Sequence, residues 1–394
     1  MLPKSAHGHA RRAGPLALDF QATTPCAEEV IAAMEPWWRL QWGNPSSRQH
    51  RLGLTASAAV SDARDRLAAC LGVAADQLIF TSGATEANNL ALLGHARAMA
   101  EHKGRPGHVI SISTEHHAVL DPLQQLRREG FRLTLLNPSR DGLIDVGELE
   151  DAFQPDTLLV SVMAANNEIG VLQPLAQIGA VCRDRGVTLH SDAAQAFGHI
   201  PFKADCLPLD LASISGHKLY GPKGIGALVL RKDLAIQPLQ FGGRQEQGLR
   251  PGTLPVPLII GLARAAELAV EHQQTTAPQL QRLRDRLWLG LQSALPGLTL
   301  NGALTPRLPH NLNITIADVN GAALHQRLRS TLQCSSGSAC SAGQPSHVLR
   351  AIGRSREEAS ASLRLSLGRT TTDDDIEQAI SGLSEVVQRL RSGR

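Results

Sequence analysis

The chain has 394 residues, 42% of them apolar, enough to bury a large core and to divide into two domains. Its 39 basic and 36 acidic residues leave a net charge of +3, a balance that gives no mandate for direct nucleic-acid or membrane binding. No apolar run approaches the roughly 20 residues a membrane span needs, and six cysteines without a CxxC pair point to a reducing, cytoplasmic setting rather than to disulfides or a metal site.

The start, MLPKSAHGHARRAG, is basic but no hydrophobic stretch follows it, so a short disordered tail is expected rather than a targeting peptide. The next segment, ALDFQATTP (17–25), has the composition of an extended strand that crosses to a smaller domain. TASAAVSDARDRLAACLG (55–72) reads as an amphipathic helix capped by Thr55 and closed by Gly72. Short apolar, β-branched runs then recur at 77–80, 108–113, 131–136, 158–163, 187–192, 211–215 and 226–231, separated by helical or loop segments. That alternation predicts an α/β domain with a mostly parallel sheet sandwiched by helices, whose ligands bind at the carboxyl ends of the strands.

Two of those ends carry the chemistry. Asp192 closes the run 187–192, and Lys218 follows the run 211–215 in SGHK. Pyridoxal phosphate requires this pair: a lysine to hold its aldehyde, and a carboxylate to keep its pyridine nitrogen protonated so that the ring accepts electrons from a substrate Cα. An isolated pair of this kind would also fit a turn acid and a solvated base.

The cofactor's phosphate needs an anion site. TSGATEANN (81–89) offers one, with Gly83 turning the chain and the amides of Ala84 and Thr85 opening a helix, although the same string serves as a plain helix cap. Thr253, in GLRPGTLP, is a second hydroxyl that could reach a phosphate. A long helix-like stretch (258–292) leads to a C-terminal third that reads as a smaller α+β domain and ends in a capped amphipathic helix. The division expected is 28–272 for the large domain, and 1–27 with 273–394 for the small one. Cys340 stands out among the thiols, because SSGSACSAG is a run of small residues that cannot pack as core and presents it as a nucleophile on a mobile loop, whereas Cys334 follows an apolar segment and looks like core.

The strings GNPSSRQHRLG, TSGATEANN, EHHAVLD, NNEIGVLQP, SDAAQ, SGHKLYGPKGIGAL, RPGTLP, SSGSAC and SLRLSLGR occur in the order found in the NifS/IscS-like cysteine desulfurases, which the whole chain resembles. The resemblance implies fold-type I of the pyridoxal phosphate enzymes and the release of sulfur from L-cysteine, leaving L-alanine and a persulfide on Cys340. It implies that Lys218 holds the cofactor and moves protons, that Asp192 meets the pyridine nitrogen and Gln195 the ring hydroxyl, and that His116 stacks on the ring. Ala84, Thr85, Ser215 and His217 would surround the phosphate, with Thr253 arriving from the second subunit of a homodimer. Asn167 would approach the cofactor or substrate and Arg364 the substrate carboxylate, a role that its planar fork suits; in the alternating run LRLSLGR it could also face solvent. A sulfur-acceptor protein, such as an iron-sulfur scaffold or a sulfur carrier, is the implied partner. Two departures stand out: the segment from Cys340 to PSHVL is shorter than in the housekeeping bacterial members, which bears on reach to scaffold proteins, and Phe20 stands where an aromatic hydroxyl is common.

Overall fold

The computed structural model describes residues 14–204, 206–336 and 345–393. The chain enters as strand β1 (Leu16–Ala17), and the run from Leu78 to Leu230 then lays down β2 (Leu78–Thr81), β3 (His108–Ile112), β4 (Arg132–Leu136), β5 (Thr157–Ser161), β6 (Thr188–Asp192), β7 (Leu211–Ser215) and β8 (Gly226–Leu230). These seven strands form one sheet in the order β2-β8-β7-β6-β5-β3-β4. All neighbours are parallel except β8, which runs antiparallel to both β2 and β7. Strands β5 to β8 are buried along their whole length, as a sheet covered by helices on both faces demands, and that double burial is why they read as short apolar runs.

The helix foreseen at 55–72 begins earlier, as Arg51–Leu71, and its cap is His50, whose Nδ1 accepts the Gly53 N–H at 3.2 Å, rather than Thr55. Tertiary contact overrides the local signal: a side chain at Gly53 would lie 2.0 Å from the Ser47 carbonyl oxygen, so the first turn is pressed against the preceding loop. Gly72 closes the helix in the left-handed region at φ 73°, as foreseen.

The helix Val256–Ala294 joins two cores. Its first half, including Ile259, Leu262 and Ala266, packs under the large sheet, and its second half, including Leu283, Leu287 and Leu291, packs in a separate apolar cluster. That cluster is roofed by β9 (Leu298–Leu300), β10 (Asn311–Ile316) and β12 (Ser362–Ser366), an antiparallel sheet in the order β12-β10-β9, while β11 (Leu332–Gln333) pairs in parallel with β1. Leu18 is fully buried in the same cluster, so the N-terminal segment crosses over as its composition indicated. The closing helix Asp373–Arg391 is capped by Thr372, whose Oγ1 accepts the Asp375 N–H at 3.2 Å, and carries three acids in its first turn and two arginines in its last, each complementing the helix dipole.

Topology makes the rim. The carboxyl ends of β2, β3, β5, β6 and β7 lie on one edge of the sheet because these strands are parallel, and the antiparallel β8 brings its first residue, Gly226, to the same edge opposite Thr81 and Ser215. A side chain at Gly226 would sit 2.7 Å from the Gly83 Cα, so glycine is what lets the Ser82–Thr85 turn lie down on the sheet.

Candidate active site

A cavity of about 530 Å³ opens on this rim. Lys218, in the turn after β7, points its Nζ to the backbone carbonyls of Gln21 and Ala22 at 2.6 and 2.8 Å. Asp192, at the end of β6, accepts the Asn88 Nδ2–H at 2.7 Å on one oxygen and the Ala194 N–H at 2.9 Å on the other. Its position is therefore fixed by two donors. Gln195 is oriented by Gln21, donating to its carbonyl at 3.1 Å, and the Gln21 amide oxygen accepts in turn from Asn311 at 2.6 Å. The N-terminal crossing segment thus reaches both the lysine and the glutamine.

His116 follows β3 and borders the same cavity. Its Nδ1 accepts the Ala118 N–H at 3.0 Å, which places the ring proton of the neutral form on Nε2. Burial lowers its pKa, Asp192 opposes that effect, and Lys218, His117 and His347 reinforce it. Behind it, Glu115 is fully buried, with one oxygen accepting the Met163 N–H at 2.6 Å and the other without a partner among the described residues. Desolvation, and then Asp192, push its pKa well above the carboxylate range.

Beside the Gly83 turn, Ser215 is buried and His217 directs Nδ1 at the Thr23 hydroxyl, 3.1 Å away, with its pKa brought down to about 4 by burial and then by Lys218 and Lys223. Ala84 and Thr85 open the helix that follows Gly83, itself at φ 153°. Arg250 is tied to Glu86 at 2.9 Å, which anchors the loop 248–255 beside this turn in the same chain, yet Thr253 is exposed and does not border the cavity.

The opposite wall comes from the small domain. Arg364, on β12, is 2% exposed, which settles against the solvent-facing alternative. Its Nη1 donates to the Asn167 carbonyl at 2.9 Å and its Nη2 to Asp19 at 2.7 Å, while its Nε and the Asn167 Oδ1 are buried without partners among the described residues. Orphaned polar atoms on a cavity wall mark places where a ligand completes the hydrogen bonding.

The cavity therefore gathers Ala84, Thr85, His116, Asn167, Asp192, Gln195, Ser215, His217, Lys218 and Arg364. Cys340 lies outside the described residues. Sequence reasoning missed Gln21, Asn88 and Asp19, each of which orients a foreseen residue; Asn88 stands in a TEANN string that reads equally well as ordinary helix, and the other two act across long sequence separations. Phe20 packs, its ring centroid 6.4 Å from that of Tyr220 and its edge where a side chain at Gly368 would stand. Cys182 is buried and Cys334 is partly buried against the smaller apolar cluster, each with its thiol pushed up to about 12 chiefly by burial, whereas Cys206 is exposed. A larger open groove of about 930 Å³ lies between Val256–Ala294 and Asp373–Arg391, but its charges pair with one another, as in Arg286 with Glu377 at 2.7 Å.

The donor set fits pyridoxal phosphate: an amine, a twice-supported carboxylate, an amide, and hydroxyls with free amides at a glycine turn, around one cavity. The family model for class-V aminotransferases matches residues 16–379. The cysteine desulfurase IscS of Anaeromyxobacter dehalogenans (strain 2CP-C) is 44% identical over 381 residues, covering 96% of this chain and 93% of that protein. Among solved structures, a NifS-like protein superposes with a TM-score of 0.88 at 34% identity, covering 95% of this chain and all (100%) of the other. SspA in complex with cysteine gives a TM-score of 0.79 at 36% identity, over 91% of this chain and 100% of that one. The chain belongs to the class-V aminotransferase family and, within it, to the NifS/IscS-like cysteine desulfurases.

Proposed function

We propose that this chain is a pyridoxal phosphate-dependent cysteine desulfurase that converts L-cysteine to L-alanine and collects the sulfur as a persulfide on Cys340. The observation that carries it is the single cavity in which Lys218 and Asp192, on neighbouring strand ends, face Arg364 from the other domain. When bound, pyridoxal phosphate supplies an aldehyde for the substrate amine and a ring that takes up electron density from the substrate Cα.

The chain's own residues do the rest. Lys218 holds the aldehyde in the resting enzyme and moves a proton at its Nζ. Asp192, kept in place by Asn88 and Ala194, holds the proton on the pyridine nitrogen. Gln195 meets the ring hydroxyl, and His116 lies against the ring with its proton on Nε2. Ala84, Thr85, Ser215 and His217 surround the phosphate. Arg364 receives the substrate carboxylate, with Asn167 beside it. Cys340 takes the sulfur, and an iron-sulfur scaffold or sulfur-carrier protein is the acceptor that removes it.

The working form is a cytoplasmic homodimer in which a second copy supplies Thr253; the exposure of Thr253 outside its own chain's cavity supports this. Among the described residues no helix is long and apolar enough to cross a membrane. The two apolar clusters support a division into a large domain, 28–272, and a small one, 1–27 with 273–394.

The test is Cys340→Ser. The variant should keep cofactor and spectrum but lose sulfide release from L-cysteine, and turnover equal to the wild type would remove Cys340 from the mechanism. Light scattering that finds a fully active monomer would remove the dimer.

A further inference from the structure

Arg364 is held by more than the sequence around it. Its Nη2 donates to Asp19 Oδ1 at 2.7 Å and to the Ser335 hydroxyl at 3.2 Å. That hydroxyl in turn donates to Asp19, 3.1 Å from Oδ1 and 3.0 Å from Oδ2, so the three side chains close a triangle. Ser335 is also locked to Arg364 through the backbone, accepting its N–H at 2.7 Å and donating to its carbonyl at 3.2 Å. Asp19 is placed from the other side, where it bridges Ser366 on β12. A guanidinium carries five N–H donors. Asp19 and Ser335 occupy the pair on Nη2 and the Asn167 carbonyl takes one on Nη1, which leaves Nε–H and the second Nη1–H on different edges of the guanidinium; the Nε is buried with no partner among the described residues.

We propose that Asp19, with the Ser335 hydroxyl, is a positioning residue of the substrate site: it fixes the plane of the Arg364 guanidinium so that a remaining N–H donor meets the α-carboxylate of the incoming amino acid. The proposal rests on the assignment of Arg364 to the substrate carboxylate. Two effects of Asp19 oppose each other. Its negative charge repels a carboxylate, while its hydrogen bond removes the rotational freedom of a fork that recognises its partner only in one plane. In a site buried to this degree the orientation effect wins, because a charge-assisted hydrogen bond misplaced by about 1 Å forfeits most of its value. Asp19 also keeps the guanidinium paired when no substrate is present, which a buried cation requires.

The experiment uses the full-length, cofactor-loaded protein and two non-reacting probes, L-alanine and L-alaninamide, which share an amine and differ in the carboxylate. Half-saturation is read from the change in cofactor absorbance. Asp19→Ala should weaken L-alanine on the order of tenfold and leave L-alaninamide nearly unmoved. Asp19→Asn should recover most of the loss, because its carboxamide oxygen can accept the same Nη2–H. Ser335→Ala should act in the same direction and by less, and it carries the test if Asp19→Ala does not fold. Equal weakening of both probes, or tighter L-alanine binding in Asp19→Ala and Ser335→Ala, overturns the proposal. Arg364→Ala separates the two assignments: if it leaves the preference for L-alanine over the amide intact, the carboxylate role of Arg364 falls, whereas if it abolishes that preference and Asp19→Ala does not reduce it, only the positioning role falls.

Discussion

The two walls of the cavity are built differently. On the sheet side, Asp192 takes one of its donors from Ala194, two residues on, and the glycine turn at Gly83 follows directly from β2, so short pieces of chain fix much of the geometry. On the small-domain side, Arg364 is held by Asp19 and Asn167 across 345 and 197 residues of sequence, and both Arg364 and Asn167 keep a buried polar atom unpartnered among the described residues. The first wall is largely finished before any ligand arrives, Asn88 Oδ1 and Glu115 Oε2 being buried atoms beside it without partners among the described residues. The second is finished by the ligand. A cofactor that stays bound suits the former, and a substrate that must enter and leave suits the latter.

The sharpest way to break this contrast is at the lysine. If Lys218 belongs to the finished wall as the residue that moves the proton, Lys218→Ala should lower turnover by at least about 10²–10⁴-fold, the usual worth of a positioned acid-base group. Borohydride treatment of the wild type followed by peptide mapping should place the reduced cofactor adduct on Lys218. Lys223 borders the same cavity, so an adduct there would overturn the assignment.

A smaller effect probes the wall that the substrate completes. Arg364→Lys keeps the charge but loses the fork, and a charge-assisted contact of about 1.5–3 kcal/mol should vanish with it, weakening L-cysteine roughly ten- to a hundredfold. Cofactor loading should stay at the wild-type level. An unchanged half-saturation for L-cysteine would take Arg364 out of the substrate site.

Asn88 tests the finished wall more gently. Asn88→Ala removes the 2.7 Å donor from Asp192 and leaves Ala194 alone to support it. One hydrogen bond to a carboxylate is worth about 1–2 kcal/mol here, so cofactor affinity should fall roughly tenfold while the preference for a substrate carboxylate is kept. Dialysis against cofactor-free buffer measures the first and the alanine and alaninamide titrations the second. Loss of both together would mean that the walls are coupled.

What the sequence disclosed follows the same contrast. The sheet was legible because period and burial act over a few residues: β7 occupies 211–215, and the other six strands of that sheet start within a residue of their apolar runs. Asp192, Gln195 and Lys218 were legible because each ends or follows such a run. Asp19, Gln21 and the triangle with Ser335 were not, because a hydrogen bond between segments 316 residues apart leaves no local periodicity. The helix start at Arg51 was missed for a related reason, since the packing of Gly53 on Ser47 is a tertiary fact that Thr55, a good cap by type, could not reveal. Arg364 shows the limit most plainly: alternation in LRLSLGR allowed it to face water, and the strand is buried on both faces instead.

The gentlest probe is pH, which acts on two histidines and on the buried Glu115. His190 and His199 have pKa values brought down to about 3 and about 4, in both cases chiefly by burial, so each is neutral in the folded state. An unfolded chain protonates them near 6.5, and stability is therefore full above that pH and is lost as pH falls toward 4, by about 1.4 kcal/mol per unit for each histidine. Glu115 has the opposite sign. Its raised pKa means that the folded state keeps a proton that the unfolded chain gives up near 4.5, so its contribution is full below that pH and is lost as pH rises toward the folded value. Glu115→Gln supplies a permanently neutral side chain of the same shape. Melting temperatures should differ little between variant and wild type at pH 4.5, and the variant should gain relative to the wild type as pH increases from there. A difference that does not change with pH would mean that Glu115 is already ionised in the folded protein, and a buried carboxylate beside Asp192 would then need a counter-charge that the finished wall does not provide.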